Sequence, residues 1–144
     1  MSAVQISASP IDAAALTRAL VDPQCGGFVS FEGWVRNHNE GQTVLQLEYE
    51  VYSPIAISEG ERIITEAKQR FDIVAALCQH REGVLALGDM AVWVGVAAAH
   101  RGPAFDACQY IINNVKTRLP IWKKEYYDSG DSGWVNCEHC AAHA

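Results

Sequence analysis

The sequence predicts an α+β protein, in which a mostly antiparallel sheet packs against helices. Segments with alternating apolar residues occur next to one another as well as on either side of helical segments, unlike the regular strand–helix alternation of parallel α/β proteins. The composition, with 49% hydrophobic and 19% charged residues, is that of a globular protein and excludes a disordered or fibrous one. The length suits one core, so we expect a single domain over residues 1–144, of which 137–144 form a flexible tail.

The first half of the chain predicts two helices and three strands. Asp12 is a suitable cap for a helix over AAALTRAL, and Pro54 begins a longer helix that ends near Phe71. The short polar loop NHNEG predicts that the strands before and after it pair as an antiparallel hairpin. The predicted strands are 3–8, which alternates weakly like an edge strand, 27–36 and 43–52.

The second half predicts three more strands and the most regular helix of the chain. Pro103 suits the first turn of this helix, and apolar residues recur at spacings of three and four until Pro120 ends it. The LALGD segment predicts a turn-rich connection, and SGDSG predicts a turn. The predicted strands are 73–83, 89–99 and 121–128.

The charge distribution indicates an anion-binding site rather than a nucleic-acid-binding surface. The formal net charge is −6, whereas general nucleic-acid binders carry an excess of Lys and Arg. Six of the 11 Lys and Arg residues nevertheless fall in three short stretches, which also contain His38 and His100. These six are Arg36, Arg101, Lys116, Arg118, Lys123 and Lys124.

Two of these stretches lie at the ends of the predicted helix. His100 and Arg101 precede its N-terminus, where unpaired N–H groups and the helix dipole favour an anion, although a solvated loop is an equally good interpretation. Lys116 lies in the last turn, where a cation also complements the dipole for structural reasons. Its stem flanks the buried stripe beside Val115, and partial desolvation would suit its amine to act as acid, base or nucleophile.

The remaining cations leave alternatives open. Lys123 and Lys124 are neighbours on a predicted strand, so they point to opposite faces, and periodicity does not tell which one faces a site. Arg36 ends a strand in a polar turn, which ordinary loop chemistry also explains.

The five cysteines do not predict a disulfide framework, because their number is odd and Cys78 and Cys108 lie in apolar periodic segments. The CEHC tail, with His139 and His143, supplies possible zinc ligands, but one CxxC without a second ligand pair is a weak signal. The N-terminal residues contain neither a basic leader nor a long apolar run, and 18 consecutive apolar residues occur nowhere. We therefore expect a soluble, cytoplasmic protein without a metal or a membrane anchor.

Three motifs together resemble the large, catalytic subunit of molybdopterin synthase, the MoaE family. FVSFEGWVRNHNEG, VGVAAAHRGPAF and KTRLPIWKKE occur here in that family's order and spacing, and the resemblance extends from about Gly27 to Trp134. It implies a hammerhead-type α+β fold, a homodimer, and a small ubiquitin-like sulfur-carrier subunit at each end of a heterotetramer. It also implies a sulfurtransferase, which moves sulfur from the carrier's Gly-Gly thiocarboxylate to cyclic pyranopterin monophosphate and so forms the dithiolene of molybdopterin, with no cofactor.

By resemblance, Lys116 is the essential active-site lysine and Lys123 the second required one. Arg36, His100 and Arg101 resemble the residues that hold the phosphate and pterin of the substrate, some of them from the neighbouring protomer. The chain departs from the family after Val135, where many members carry a further basic residue and this one has Asn136, Cys137 and Glu138.

Two other functions remain possible from the sequence. The same cations could serve a non-catalytic module that holds a phosphorylated ligand. Alternatively, a zinc-stabilised interaction protein could be built around Cys137, His139, Cys140 and His143.

Overall fold

The structure is a computed structural model that describes residues 2–137. This range contains three helices and ten strands, and the strands form two sheets. The helices are α1 (Ala13–Leu20), α2 (Ser53–Arg70) and α3 (Arg101–Arg118). The strands are β1 (Val4–Ser7), β2 (Gly27–Trp34), β3 (His38–Asn39), β4 (Gln42–Val51), β5 (Ala75–Arg81), β6 (Gly83–Ala86), β7 (Met90–Ala98), β8 (Ile121–Tyr127), β9 (Gly130–Asp131) and β10 (Val135–Asn136).

The first sheet has the strand order β1-β5-β7-β2, and only the β1–β5 pair is parallel. Its strand β7 is buried along almost its whole length because helices cover both faces of the sheet. On one face, Trp93 and Ala97 pack with Leu16 and Leu20 of α1. On the other face, the alternate residues of β7 pack in the main core against buried side chains of α2 and α3.

The second sheet is built around β4, which pairs with β8 on one side and with β3 and β6 on the other. The short strands β9 and β10 both pair with β8. All of these pairs are antiparallel, so the predicted α+β class with a mostly antiparallel sheet is confirmed.

The helix boundaries follow the predicted signals. Asp12 accepts a hydrogen bond from the backbone N–H of Ala15 at 3.1 Å and so caps α1. Pro54 lies in the first turn of α2. The helix α3 ends before Pro120, and its apolar stripe is buried, including Cys108 as a small hydrophobic residue.

The predicted hairpin between residues 27–36 and 43–52 is wrong. The strand β2 pairs with β7, about sixty residues further along the chain, and β4 belongs to the other sheet. The hairpin that does form is much smaller and joins β3 to β4, with Asn39 opposite Gln42. Pairing with the apolar strand β7 buries more surface of β2 than pairing with the half-exposed β4 would. The length of the loop after β2 predicted a local hairpin and could not indicate a partner so distant in sequence.

Two connections predicted as turns contain short strands. The segment 83–86, which overlaps LALGD, forms β6 and pairs with Gln46–Tyr49 of β4. The SGDSG segment contains β9, opposite the end of β8. Both are edge strands of two to four residues, too short to show an alternating pattern.

Among the helices of residues 2–137, none combines the length and the apolar character that crossing a membrane requires.

Candidate active site

A cavity of about 820 Å³ lies where the end of β2 meets the β3–β4 turn and the inner face of β8. The cations that line it come from three separate segments: Arg36 from the end of β2, Lys116 from α3 and Lys123 from β8. Acidic side chains also contribute, among them Glu125. The three predicted positions Arg36, Lys116 and Lys123 are therefore brought together in one chain.

Lys116 reaches the cavity from the last turn of α3. Its predecessor Val115 is fully buried in the core, so the backbone at this point is fixed by packing, while Lys116 itself is half-buried. The end of α3 is further held by Arg118, which forms charge-assisted hydrogen bonds to Glu59 and Glu66 of α2 at 2.6–2.9 Å. The amine is thus presented by a rigid element.

Arg118 does not belong to the cavity and is a correction to the predicted cation cluster. Its hydrogen bonds, with that of the Tyr110 hydroxyl at 2.6 Å, lower the pKa of Glu66 to about 2. The same pairing with Glu66 and Glu59 raises the pKa of Arg118. This cation serves the packing of α3 on α2.

The structure answers which of the two neighbouring lysines faces the cavity. Lys123 lines it, and its Nζ lies 3.7 Å from Oε1 of Glu125. Lys124 points to the opposite face of the sheet, with its Nζ 4.8 Å from the centre of the Trp134 ring. The alternation of β8 thus separates a cation in the cavity from a cation that stacks on an aromatic ring.

Glu125 and Asn39 belong to the site, although sequence reasoning did not single them out. Asn39 donates a hydrogen bond from Nδ2 to Oε1 of Glu125 at 2.6 Å and accepts one from Nη2 of Arg36 at 3.3 Å. Glu125 is only 6% exposed. A signal for Glu125 was available, because the period of two that directs Lys123 into the cavity directs residue 125 there as well.

His80 lies behind the cavity wall, completely buried on β5. Its Nδ1–H donates to the backbone carbonyl of Arg81 at 2.7 Å, and Tyr49, which lines the cavity, meets the ring edge-on at 4.9 Å. Burial lowers the pKa of His80 to about 4, and the nearby charge of Lys116 contributes in the same direction. The imidazole is therefore neutral at physiological pH.

His100 and Arg101 lie outside this cavity. Both are exposed at the start of α3, next to Gly27, where a Cβ atom would stand 3.0 Å from the backbone nitrogen of Arg101. Gly27 begins β2, whereas Arg36 follows its end, and eight strand residues span roughly 20–25 Å. A single chain therefore does not bring this predicted pair to the other cations.

No group of three or more His, Cys, Asp or Glu side chains arranged to hold a metal occurs between residues 2 and 137. Cys137 is buried, and its backbone N–H bonds to the carbonyl of Ile121. The other proposed zinc ligands, His139, Cys140 and His143, lie outside the described residues.

The cavity offers three cations and a buried carboxylate around a space that fits a small ligand. Such a group can neutralise a phosphate or a carboxylate-like anion, and two amines are placed to move a proton or to attack an acyl carbon. Phe31 and Trp34 at the rim are exposed apolar side chains beside this charged interior.

Comparison with known proteins shows the family of the chain. The family model of the MoaE protein matches residues 6–118. The chain is 41% identical to the molybdopterin synthase catalytic subunit of Synechococcus elongatus over 137 residues, which is 93% of this chain and 83% of that protein. It is 49% identical to the protein of the same name from Pyrococcus abyssi over 110 residues, 76% of this chain and 74% of that one.

Solved structures agree with the fold. The crystal structure of molybdopterin synthase from Staphylococcus aureus matches with a TM-score of 0.88 at 32% identity, and the match covers 94% of this chain and 98% of that one. A solved complex of subunits 1 and 2 of molybdopterin-converting factor from Helicobacter pylori 26695 matches with a TM-score of 0.74 at 20% identity, over 90% of this chain and 88% of the matched chain. The latter likeness concerns the fold alone.

Proposed function

The chain belongs to the MoaE family, and from this premise we propose that it transfers sulfur from the thiocarboxylated C-terminus of a small carrier subunit to cyclic pyranopterin monophosphate. It is a sulfurtransferase, the catalytic subunit of a molybdopterin synthase in molybdenum cofactor biosynthesis. We propose that a single domain over residues 1–144 carries this activity. The predicted tail, 137–144, begins one residue too early, because Cys137 is buried in the core; residues 138–144 lie outside the described range.

The observation that carries the proposal is the convergence of Arg36, Lys116 and Lys123 on one cavity. Both reactants are anions, one a cyclic phosphate and the other a thiocarboxylate. Fixed cations in a partly buried cavity stabilise such charges more strongly than the same cations in water, because the effective dielectric constant is lower there. We assign Arg36 to the phosphate and the two lysines to the reacting groups.

Each transfer forms a carbon–sulfur bond on the pterin side chain and breaks the acyl carbon–sulfur bond of the carrier. At the same pterin carbon a carbon–oxygen bond breaks, and its oxygen leaves as water or stays on the phosphate. Water attacks the acyl carbon, either directly or after the amine of Lys116 has formed an amide with it. The carrier tail then leaves with a C-terminal carboxylate. Lys116 serves as the acid and base or as the covalent acceptor, and Lys123 stabilises the developing negative charge. Two carriers supply the two sulfurs of the dithiolene.

The small carrier subunit with its Gly-Gly C-terminus is the proposed protein partner. An extended tail fits an open cavity of this size, and the exposed side chains of Phe31 and Trp34 at the rim offer apolar contact area for the carrier's folded part. The Helicobacter pylori complex shares this fold and contains two subunits of molybdopterin-converting factor.

We further propose that the large subunit forms a homodimer, and with two carriers a heterotetramer. His100 and Arg101 are exposed in one chain and lie far from the cavity. A second copy that presents these two residues to the cavity of the first would complete the set of anion-binding side chains.

The decisive experiment compares Lys116→Ala with Lys68→Ala in the complex with thiocarboxylated carrier. Lys68 is the matched control, because it occupies the last turn of another 18-residue helix but is exposed and does not line the cavity. We expect Lys116→Ala to convert precursor roughly 10²- to 10⁴-fold more slowly, and Lys68→Ala to match the wild type. A folded Lys116→Ala protein with normal turnover would exclude the catalytic assignment and favour a module that merely holds a phosphorylated ligand.

A further inference from the structure

We propose that Asn39 is a positioning residue of this cavity, whose side-chain amide fixes Arg36 and Glu125, and through Glu125 the amine of Lys123, in one arrangement. The inference rests on the function proposed above, because it assigns Asn39 a role in the same site. Asn39 acts through its neighbours and is not itself given a chemical step.

The geometry links three segments through one amide. Its Nδ2 donates to Oε1 of Glu125 at 2.6 Å, and its Oδ1 accepts from Nη2 of Arg36 at 3.3 Å. The same Oε1 atom lies 3.7 Å from Nζ of Lys123. The two cations of the cavity that come from outside α3 are thus connected by Asn39 and Glu125.

The chemistry of the position suits an amide. Asn39 faces a carboxylate with its donor end and a guanidinium with its acceptor end, and a side-chain amide offers both at once. The nearly isosteric aspartate would place a second carboxylate against Glu125, which is largely buried and needs donors. A hydrocarbon side chain would remove the shortest hydrogen bond that Glu125 accepts.

The backbone holds Asn39 in this place. Asn39 pairs with Gln42 across a two-residue turn whose central residues, Glu40 and Gly41, have φ angles of 49° and 78°. Positive φ at both positions is typical of the tight hairpin turn that matches the twist of the strands. Glu40 adopts a conformation that residues other than glycine, asparagine and aspartate rarely do, and a rare backbone conformation beside a cavity is consistent with a positioning role.

The effect of removing the amide should appear in turnover rather than in substrate binding. Without it, Arg36 keeps its charge and still binds the phosphate, but its guanidinium and the Glu125 carboxylate lose their common partner. Small displacements of reacting groups are costly to the rate. We expect Asn39→Ala to lower kcat about 10- to 100-fold with KM changed by less than about threefold.

The pH dependence of Asn39→Asp activity distinguishes positioning from a merely structural role, which would leave this dependence unchanged. One of the two facing carboxyl groups can bind a proton as the pH falls and then donate to the other, as the amide does in the wild type. We therefore expect the ratio of Asn39→Asp activity to wild-type activity to rise as the pH falls from 8 to about 5.5.

The test uses the full chain in complex with thiocarboxylated carrier, with precursor as substrate. Thr43→Ala is the matched control, because Thr43 is exposed on the same hairpin and does not line the cavity. The proposal predicts a lower kcat for Asn39→Ala, the pH-dependent ratio for Asn39→Asp, and wild-type kinetics for Thr43→Ala. Wild-type kcat in Asn39→Ala together with an unchanged profile in Asn39→Asp would overturn it.

A crystal structure of Asn39→Ala separates this inference from the proposed function. If the wild-type complex transferred no sulfur, the proposed function would fail, while the crystal structure would still show whether Arg36 and Glu125 move. A shift of these side chains by about 1 Å or more supports positioning, and unchanged positions count against it. Should Asn39→Ala fail to fold, the nearly isosteric Asn39→Asp supplies both the structure and the pH profile.

Discussion

The amine of Lys123 lies 3.7 Å from the carboxylate of Glu125, two residues further along the same strand, and their side chains are 17% and 8% exposed. Because residues two apart on a strand share a face, this pair lies in the cavity, while Lys124 between them lies on the other side of the sheet. A cation and its counter-ion are thus supplied together by one short stretch of chain.

Replacing the two neighbouring lysines separately should have very different effects. We expect Lys123→Ala to lower kcat roughly 100-fold or more, because the cavity loses a cation and Glu125 loses a nearby positive charge. Lys124→Ala removes contacts with the Trp134 and Tyr126 rings outside the cavity and should stay within about threefold of the wild type. Steady-state sulfur transfer measures both, and equal losses in the two variants would contradict the assignment.

Mixing two inactive subunits should restore activity if His100 and Arg101 act across a dimer. In co-expressed Lys116→Ala and Arg101→Ala subunits, about half of the dimers are mixed, and each of these has one intact site out of two. We therefore expect roughly a quarter of the wild-type activity from the mixture. Differently tagged subunits allow the mixed dimer to be isolated and assayed, and a mixture no more active than its parents would refute the shared site.

Acid should weaken the attachment of α3 to α2. The pKa of Glu66 is lowered to about 2 from an ordinary value of 4.5, so its pairing stabilises the fold fully above pH 4.5 and progressively less as the pH falls towards 2. Glu66→Gln should be less stable than the wild type at pH 7, and the difference should shrink at pH 3. Urea unfolding at the two pH values tests this, with Asp106→Asn, which changes an exposed carboxylate of α3, as a control. A pH-independent difference would disprove it.

His80 should make a separate contribution to the pH dependence of folding stability, at milder acidity than Glu66. Its pKa is about 4 in the folded protein against 6.5 ordinarily, so the folded state resists protonation and stability falls as the pH drops from 6.5 towards 4. A difference of this size corresponds to roughly 3 kcal/mol over that range. Replacing His80 by Gln should remove this part of the pH dependence. Titration of the imidazole by NMR measures the pKa directly, and a value near 6.5 would exclude the prediction.

Much of the fold followed from local sequence. The helices α1 and α3 were predicted nearly residue by residue, because Asp12, Pro103 and Pro120 act on the backbone within a turn of their own positions. The strands β4, β7 and β8 followed from their alternation or apolar run. The pairing of β2 could not be predicted from local sequence. The partner of a strand depends on the surface that the pair buries, and the partner of β2 lies about sixty residues further along the chain.

For the site, the sequence by itself determined which residue types were present: a lysine at a helix end, two adjacent lysines on a strand and an arginine at a strand end. Only the tertiary structure decided their partners, since it placed Lys123 rather than Lys124 in the cavity, paired Arg118 with the glutamates of α2, and connected Arg36 to Glu125 through Asn39. The physical reason is that periodicity distinguishes the two faces of an element without telling which face is covered. Charge pairing depends on distances between segments that lie far apart in the chain.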